Sequence, residues 1–371
     1  MISVFEPRLS FQNKFDVFSA LNKNQISGTS KPVSEFEEKS KKYFGREYGI
    51  ALSNGSIALE VALKLLNLEK NDEVIIPSFT IISCLAAVIR AGATPVFCDV
   101  DKDSWNMSLS DIEKVQSKKT KAIIMVHTYG LAANAVEISE FCVKNNIYLI
   151  EDAAEAHGQI IGEQKCGSFG DISVMSFYAN KHITSGEGGM ILTNSEEYYK
   201  KALSIRNLGF NPDERFKHEN LYWNYRISGL QAALGTSQFK NLNKTISQKI
   251  EQGTYYLQLF SELQDKIQLP LLENDVSINH FWVFGIVLKQ KNKRDTVTKN
   301  LAQAGIETRP FFWPLHMQPL LQKYNYQINS DILKNSKYLG LNGFYIPIGP
   351  HVSKKNQKFI FEEIKKILKQ N

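Results

Sequence analysis

Four short apolar runs constrain this chain more than any other feature: Glu73-Val74-Ile75-Ile76-Pro77, Thr94-Pro95-Val96-Phe97-Cys98-Asp99-Val100, Lys121-Ala122-Ile123-Ile124-Met125-Val126-His127 and Ile147-Tyr148-Leu149-Ile150-Glu151-Asp152. Each is short for a helix and apolar at successive positions, the pattern of a strand covered on both faces. Helical spacing fills the gaps. Ser56–Leu66 precedes the first run, Ile81–Arg90 stops at Ala91-Gly92-Ala93, and Ala135–Asn145 fits before the last. Strands separated by helices are joined by crossovers, so the expected fold is α/β: a mainly parallel sheet between helices. After Asn243 the texture changes. A long helical stretch, Leu242–Leu263, leads into a Lys- and Asn-rich region with an apolar strand at Phe281–Leu288 and a terminal amphipathic helix at Asn356–Lys369. The expected division is a large α/β domain over 1–244 and a smaller C-terminal α+β domain over 245–371.

A chain of 371 residues, 43% of them hydrophobic, can bury a large core. Its net charge of +6 is mild, and the basic residues are interleaved with acids, as in Glu35-Phe36-Glu37-Glu38-Lys39. That is no nucleic-acid footprint. No uncharged apolar run approaches the ~20 residues of a membrane helix, and Met1–Arg8 lacks a basic-then-apolar leader. The cysteines Cys84, Cys98, Cys142 and Cys166 show no metal-ligand spacing. They read as free thiols in a reducing compartment. The expectation is a cytoplasmic protein with no metal, no nucleic acid and no membrane partner.

Three constellations can carry chemistry. Ser53-Asn54-Gly55-Ser56 stands directly before the helix at Ile57. A helix N-terminus offers free N–H groups and a positive dipole end, so the segment suits a phosphate; it equally suits an ordinary Ser/Asn cap. Ile147–Glu155 delivers Glu151 and Asp152 to the carboxyl end of a strand, where ligands sit in open α/β sheets. A carboxylate there can hold a protonated ring nitrogen or a metal, or Asp152 can simply cap a following helix at Ala153–His157. His157 reads as a hydrogen-bonded structural residue. In the third segment a strand ending at Ser176-Phe177-Tyr178 enters a polar turn with one lysine, Lys181, followed by Gly186-Glu187-Gly188-Gly189 and a second strand. A lysine whose surroundings lower its pKa can form a Schiff base. Each part alone is ambiguous. Together, an anion cradle, a carboxylate and a lysine on three loops of one α/β domain match the needs of pyridoxal 5′-phosphate.

The motifs Ser53-Asn54-Gly55-Ser56-Ile57-Ala58-Leu59, Asp72-Glu73-Val74-Ile75-Ile76-Pro77-Ser78-Phe79-Thr80, Glu151-Asp152-Ala153-Ala154-Glu155-Ala156-His157-Gly158, Gly167-Ser168-Phe169-Gly170-Asp171 and Lys181–Gly189 carry a resemblance from about Val4 to the C-terminus. The sequence resembles the DegT/DnrJ/StrS aminotransferases, pyridoxal-phosphate enzymes of fold type I with a seven-stranded large-domain sheet, which act on nucleotide-linked keto-sugars. Tyr222-Trp223-Asn224-Tyr225-Arg226 and Arg309-Pro310-Phe311-Phe312-Trp313-Pro314-Leu315-His316 make it most similar to the branch that aminates GDP-linked 4-keto-6-deoxymannose. The resemblance implies Lys181 as the catalytic, cofactor-bearing lysine, Asp152 at the pyridinium nitrogen and Glu155 beside the ring hydroxyl. It implies Asn54, Gly55, Ser56 and Ser176 around the phosphate, and Asn224 reaching the phosphate of a neighbouring subunit, hence a homodimer with shared sites. Arg226, Arg309, His316 and His182 are the implied candidates for substrate contact. Ile81 stands where the family often stacks an aromatic residue on the ring. A related dehydratase branch replaces the lysine by histidine; here Lys181 is kept, so transamination from L-glutamate is implied.

Overall fold

Each of the four apolar runs becomes a strand in the computed structural model, which describes residues 1–210, 214–324, 326 and 328–370. The first two thirds contain β1 (Tyr48–Leu52), β2 (Glu73–Pro77), β3 (Thr94–Cys98), β4 (Thr120–Val126), β5 (Tyr148–Asp152), the two-residue pieces β6 (Ile160–Ile161) and β7 (Gln164–Lys165), β8 (Ile172–Ser176) and β9 (Gly189–Thr193). Seven of these form one sheet in the order β1-β9-β8-β5-β4-β2-β3, while β6 and β7 make a separate hairpin. Pairing is parallel except at β9, which runs antiparallel to both β1 and β8. The reversal follows from the connection: β8 and β9 are joined by a loop over 177–188 and not by a crossover helix.

Alternate residues of each central strand feed two different apolar layers. Ile75, Ile123, Leu149 and Met175 face Phe36, Phe44 and Ile138. Their neighbours Ile76, Ile124, Ile150 and Val174 face Leu59, Leu63 and Val88. Burial on both faces is why these runs read as continuous apolar sequence.

The C-terminal part holds β10 (Ile267–Gln268), β11 (Phe284–Leu288), β12 (Arg309–Pro310) and β13 (Gly343–Ile346), antiparallel in the order β10-β11-β13-β12. The helices Leu242–Phe260 and Lys354–Gln370 contribute Tyr256, Phe260, Ile360 and Ile364 to a core with Phe284, Ile286 and Phe344. Residues at the N-terminus also reach this part: the Ile2 N–H donates to the Gly305 carbonyl at 2.7 Å, and Ile2 accepts from Glu307 at 3.0 Å. A fourth cluster joins the two sheets, packing Phe79, Trp105 and Tyr129 against Trp282, Phe311 and Leu339.

Two local expectations change. The strand expected from Phe281 begins at Phe284, because Phe281 adopts a left-handed φ of 48° that no strand accommodates. The helix expected at Ala153–His157 is a series of turns. Among the described residues no helix is long and apolar enough to cross a membrane, and all four cysteines are buried and free.

Candidate active site

The parallel strands β1, β2, β5 and β8 end at the same edge of the sheet, and a pocket of about 600 Å³ opens there. Its wall includes Asn54, Gly55, Ser56, Ile81, Asp152, Glu155, Ser176 and Lys181. The three constellations, spread over more than a hundred residues of sequence, are thus brought together.

The cradle is built by the start of the helix Gly55–Leu65. Asn54 is its extended cap and accepts the Ile57 N–H at 2.9 Å. The cap reading is observed directly, in the Asn54 side chain; Gly55 and Ser56 line the pocket at the positive end of the helix, where an anion would be favoured. A Cβ on Gly55 would stand 2.9 Å from the Ser176 Cβ, so glycine is what lets the helix start close against the end of β8. Ser56 Oγ lies 2.7 Å from Ser83 Oγ, and Ser176 Oγ accepts the Tyr178 N–H at 3.4 Å.

The acids sit beyond β5. Asp152 accepts the Ala154 N–H at 3.1 Å and a weak contact from the Cys84 thiol at 3.8 Å. Glu155 accepts the Tyr129 N–H at 2.8 Å. Burial raises the pKa of both, against the Ala154 N–H and the Lys181 charge at Asp152, and the Lys181 charge and the Tyr129 N–H at Glu155. Lys181 Nζ lies 3.6 Å from Glu155 Oε1 and 3.7 Å from the centre of the Trp282 ring. Burial lowers its pKa while Glu155 and Asp152 pull the other way. A buried amine shared between two acids is one whose proton can be given and recovered.

Glu151, the neighbour of Asp152, points to other work. Its carboxylate takes the His127 Nε2–H at 3.0 Å and the N–H groups of Gly167, Phe169 and Gly170 at 2.5, 2.8 and 3.2 Å, plus the Ser173 hydroxyl at 2.8 Å. His127 Nδ1 accepts the Ala133 N–H, which fixes the tautomer that donates to Glu151. Although Cys166 stands nearby, this cluster is already filled with hydrogen bonds. His157 Nδ1 accepts the Ile183 N–H at 3.2 Å, and burial lowers its pKa to about 3, so it is a neutral brace for the lysine loop.

Five other residues lie away from this pocket's lining. Asn224 is exposed and accepts the Arg226 N–H at 3.2 Å; Arg226 in turn donates to Asn207 Oδ1. Arg309 is exposed and paired with Glu307 at 2.6 Å. His316 is buried, its Nδ1 2.6 Å from Ser78 Oγ, so it ties the Phe312–Met317 segment to the end of β2. His182 is buried beside the His280 carbonyl at 3.4 Å, although it also lines a narrow cleft of about 60 Å³ that shares Lys181. Ile81 stands on the pocket wall, 41% exposed.

Trp282 and Tyr129 have no counterpart among the expected site residues. Trp282 was hidden inside an apolar run that read as a strand. The signal that marks it is the polar pair Asn279-His280 just before two aromatics, a turn signature ahead of the strand. Tyr129 is fully enclosed among Phe79, Phe311 and Phe312 and has a left-handed φ of 57°, which aims its N–H at Glu155.

What this edge of the sheet is shaped to hold is a phosphorylated, electron-withdrawing ring carried on an amine, the arrangement of an aminotransferase that depends on pyridoxal 5′-phosphate. The comparisons narrow the class. The chain belongs to the DegT/DnrJ/EryC1/StrS aminotransferase family, whose model matches residues 11–365. It is 35% identical to the GDP-perosamine synthase of Escherichia coli O157:H7 over 365 residues, covering 98% of this chain and 97% of that protein. It is also 35% identical, over 278 residues, to a UDP-N-acetyl-3-dehydro-alpha-D-glucosamine 3-aminotransferase of Acidithiobacillus ferrooxidans, covering 74% of this chain and 73% of that one. Among solved structures, the aminotransferase from Psychrobacter cryohalolentis superposes with a TM-score of 0.88 at 26% identity, over 98% of each chain. The enzyme is a pyridoxal-phosphate-dependent sugar aminotransferase, and its residues fit that cofactor: the Gly55 contact makes the cradle, and a buried lysine and buried aspartate share its floor.

Proposed function

We propose that the chain transfers the amino group of L-glutamate to C4 of a GDP-linked 4-keto-6-deoxy sugar, giving an amino-sugar nucleotide for surface polysaccharide or glycan synthesis in the cytoplasm. The observation that carries this reading is the Lys181 amine held 3.6 Å from Glu155 in the pocket that Asp152 and the Gly55 cradle also line. The choice of sugar is supported by the GDP-perosamine synthase relative, similar over nearly the whole of both chains.

Bound pyridoxal phosphate supplies an electron sink for the carbanion at the substrate carbon. Gly55 and Ser56 would hold its phosphate at the helix end, with Ser176 completing the cradle. Asp152 would hold the proton on the ring nitrogen, and its burial would keep water from that contact. Lys181 Nζ would take a proton from the donor carbon and pass it on within the first half of the reaction, and in the second half would deliver a proton to the sugar carbon. Glu155 stands within reach to relieve Nζ of charge between those two acts. Ile81 covers one wall with aliphatic surface.

Asn224 completes the site of a second copy across a homodimer interface. Its exposure, and the exposed apolar surface beside it at Leu221 and Trp223, support that reading. So does the stripe Phe11, Phe15 and Phe18 on the helix Phe11–Asn22, spaced to share one face. Arg226, Arg309 and His182 are held as substrate-side candidates; His316 serves them by anchoring the Phe312–Met317 segment.

The similarity to a UDP-sugar 3-aminotransferase keeps a second reading open, amination of a UDP- or dTDP-linked keto-sugar. A turnover panel of GDP-, UDP- and dTDP-linked keto-sugars with glutamate, read by mass spectrometry, decides between them. GDP-4-keto-6-deoxymannose should turn over with the highest kcat/KM. Preference for a UDP-linked 3-keto-sugar overturns the assignment.

A further inference from the structure

Lys181 is not the only buried lysine at this site. Lys249, on the helix Leu242–Phe260, is 7% exposed. Its Nζ donates to the Trp282 carbonyl at 2.7 Å and to the Phe281 carbonyl at 3.3 Å. Two backbone carbonyls, not an acid, receive it. Burying an ammonium without a carboxylate is unfavourable, and burial, with the Lys181 charge added, lowers Lys249 to about 7.

The carbonyls it holds belong to a strained turn. Phe281 has the left-handed φ of 48°, rare for a bulky residue. The turn is fixed from several sides. The Asn279 Oδ1 accepts the Phe281 N–H at 2.7 Å, and the His280 N–H donates to the Gly130 carbonyl at 2.9 Å. Gly253, on the same helix as Lys249, leaves the room that the Phe281 ring occupies; a Cβ there would run into it. The outcome is the pose of Trp282. Its indole N–H donates to the Asn180 carbonyl at 3.0 Å, and its ring face lies 3.7 Å from Lys181 Nζ.

We propose that Lys249 is a positioning residue for the reaction: by fastening the Phe281 and Trp282 carbonyls it holds the Trp282 indole face against the Lys181 nitrogen. This rests on Lys181 being the cofactor-bearing lysine. An aromatic face favours a cationic nitrogen. The indole therefore raises the pKa of the nitrogen at Lys181, in concert with Asp152 and Glu155. The charge of Lys249 itself acts in the opposite direction, as does any charge on His182, which feels Lys249 and has the rings of His157 and His280 on either side of it. Positioning and direct repulsion thus give opposite signs.

The test is a pH titration of the visible absorption of the holoenzyme, for wild type, Lys249→Met, Trp282→Leu and the double variant. Loss of the indole face lowers the midpoint, by about half to one pH unit for a contact of this kind. Lys249→Met should lower it in the same direction, and should lower it no further in the Trp282→Leu background, where only the direct repulsion is left to lose. Lys249→Gln, which keeps an NH2 donor group without the charge, should fall less, and it is read in place of Lys249→Met if that variant does not fold. An unchanged midpoint, with only thermal stability reduced, overturns the positioning role, as does a raised midpoint. A wild-type protein that forms no visible band with pyridoxal phosphate overturns the cofactor reading and this inference with it.

Discussion

Lys181 could be singled out in the sequence because the chemistry leaves few choices: a single lysine in a polar turn between an apolar strand and a glycine corner, and the structure places it after β8, the strand next to the one that ends at Asp152. The loop from Phe177 to Gly188 now has a physical reading. It reverses the chain from β8 to β9, and its backbone is braced by the Ser185 N–H on the Phe177 carbonyl at 2.9 Å and by the neutral His157. Trp282 was not legible. Its pose depends on a left-handed Phe281, and nothing in an apolar run announces that a bulky residue will take such a φ. The same holds for Tyr129, whose backbone and not its side chain faces Glu155. At this scale the substitution Lys181→His separates transamination from dehydration. Imidazole cannot carry the cofactor covalently, though it can accept a proton. Amino-sugar formation should fall by about three orders of magnitude or more, while pyridoxal phosphate still binds, more weakly. Mass spectrometry of the sugar nucleotide after incubation with glutamate checks this, and amino-sugar formation near the wild-type rate rejects the role.

Most strands of the large sheet could be read because each is short and apolar, so period and length agreed; the edge strand β1 was not singled out. What could not be read was how the cradle helix is fastened. Glu60, nearly buried on the helix Gly55–Leu65, accepts from Arg90 Nε at 2.6 Å, from Lys64 at 2.8 Å and from the Tyr225 hydroxyl at 2.9 Å. Tyr225 in turn accepts the Ser53 N–H at 2.9 Å through its carbonyl. The helix start, the helix Ile82–Arg90 and the segment bearing Asn224 are thus held by one carboxylate. Burial alone would raise the pKa of Glu60, but its three donors outweigh burial and hold it below 4.5. A depressed carboxylate contributes stability above its unfolded pKa and loses it as pH falls through the folded one. Glu60→Ala should therefore cost about 1–3 kcal/mol at pH 7. The deficit should shrink as the pH is lowered below about 4.5. Urea unfolding at pH 7 and pH 3.5 checks both; an equal deficit at the two values contradicts this account of the charge.

At the scale of the molecule, the site is assembled from both sheets: the cradle, acids and lysine come from the large one, while Trp282, Phe312 and Tyr345 close the pocket from the C-terminal part. The aromatic cluster around Phe79, Tyr129 and Phe311 is what makes the two parts one unit. This convergence was hidden because contacts between residues some two hundred positions apart leave no periodic trace. The proposed second copy belongs to the same scale. Asn224→Ala should weaken retention of pyridoxal phosphate by about tenfold, the loss of one charge-assisted hydrogen bond. The thermal stability of the cofactor-saturated dimer should change little. Equilibrium dialysis of the cofactor and sedimentation of the protein check the pair, and an active monomer at assay concentration rules out shared sites.

The most direct measurement fixes the cofactor in place. Borohydride reduction of the protein loaded with pyridoxal phosphate, followed by peptide mass mapping, reports which amine carries it. The expected result is one modified lysine per chain, Lys181, with the modification abolished when L-glutamate is added before reduction. Label on Lys249 or on surface lysines with Lys181 unmodified would contradict the assignment of the active site.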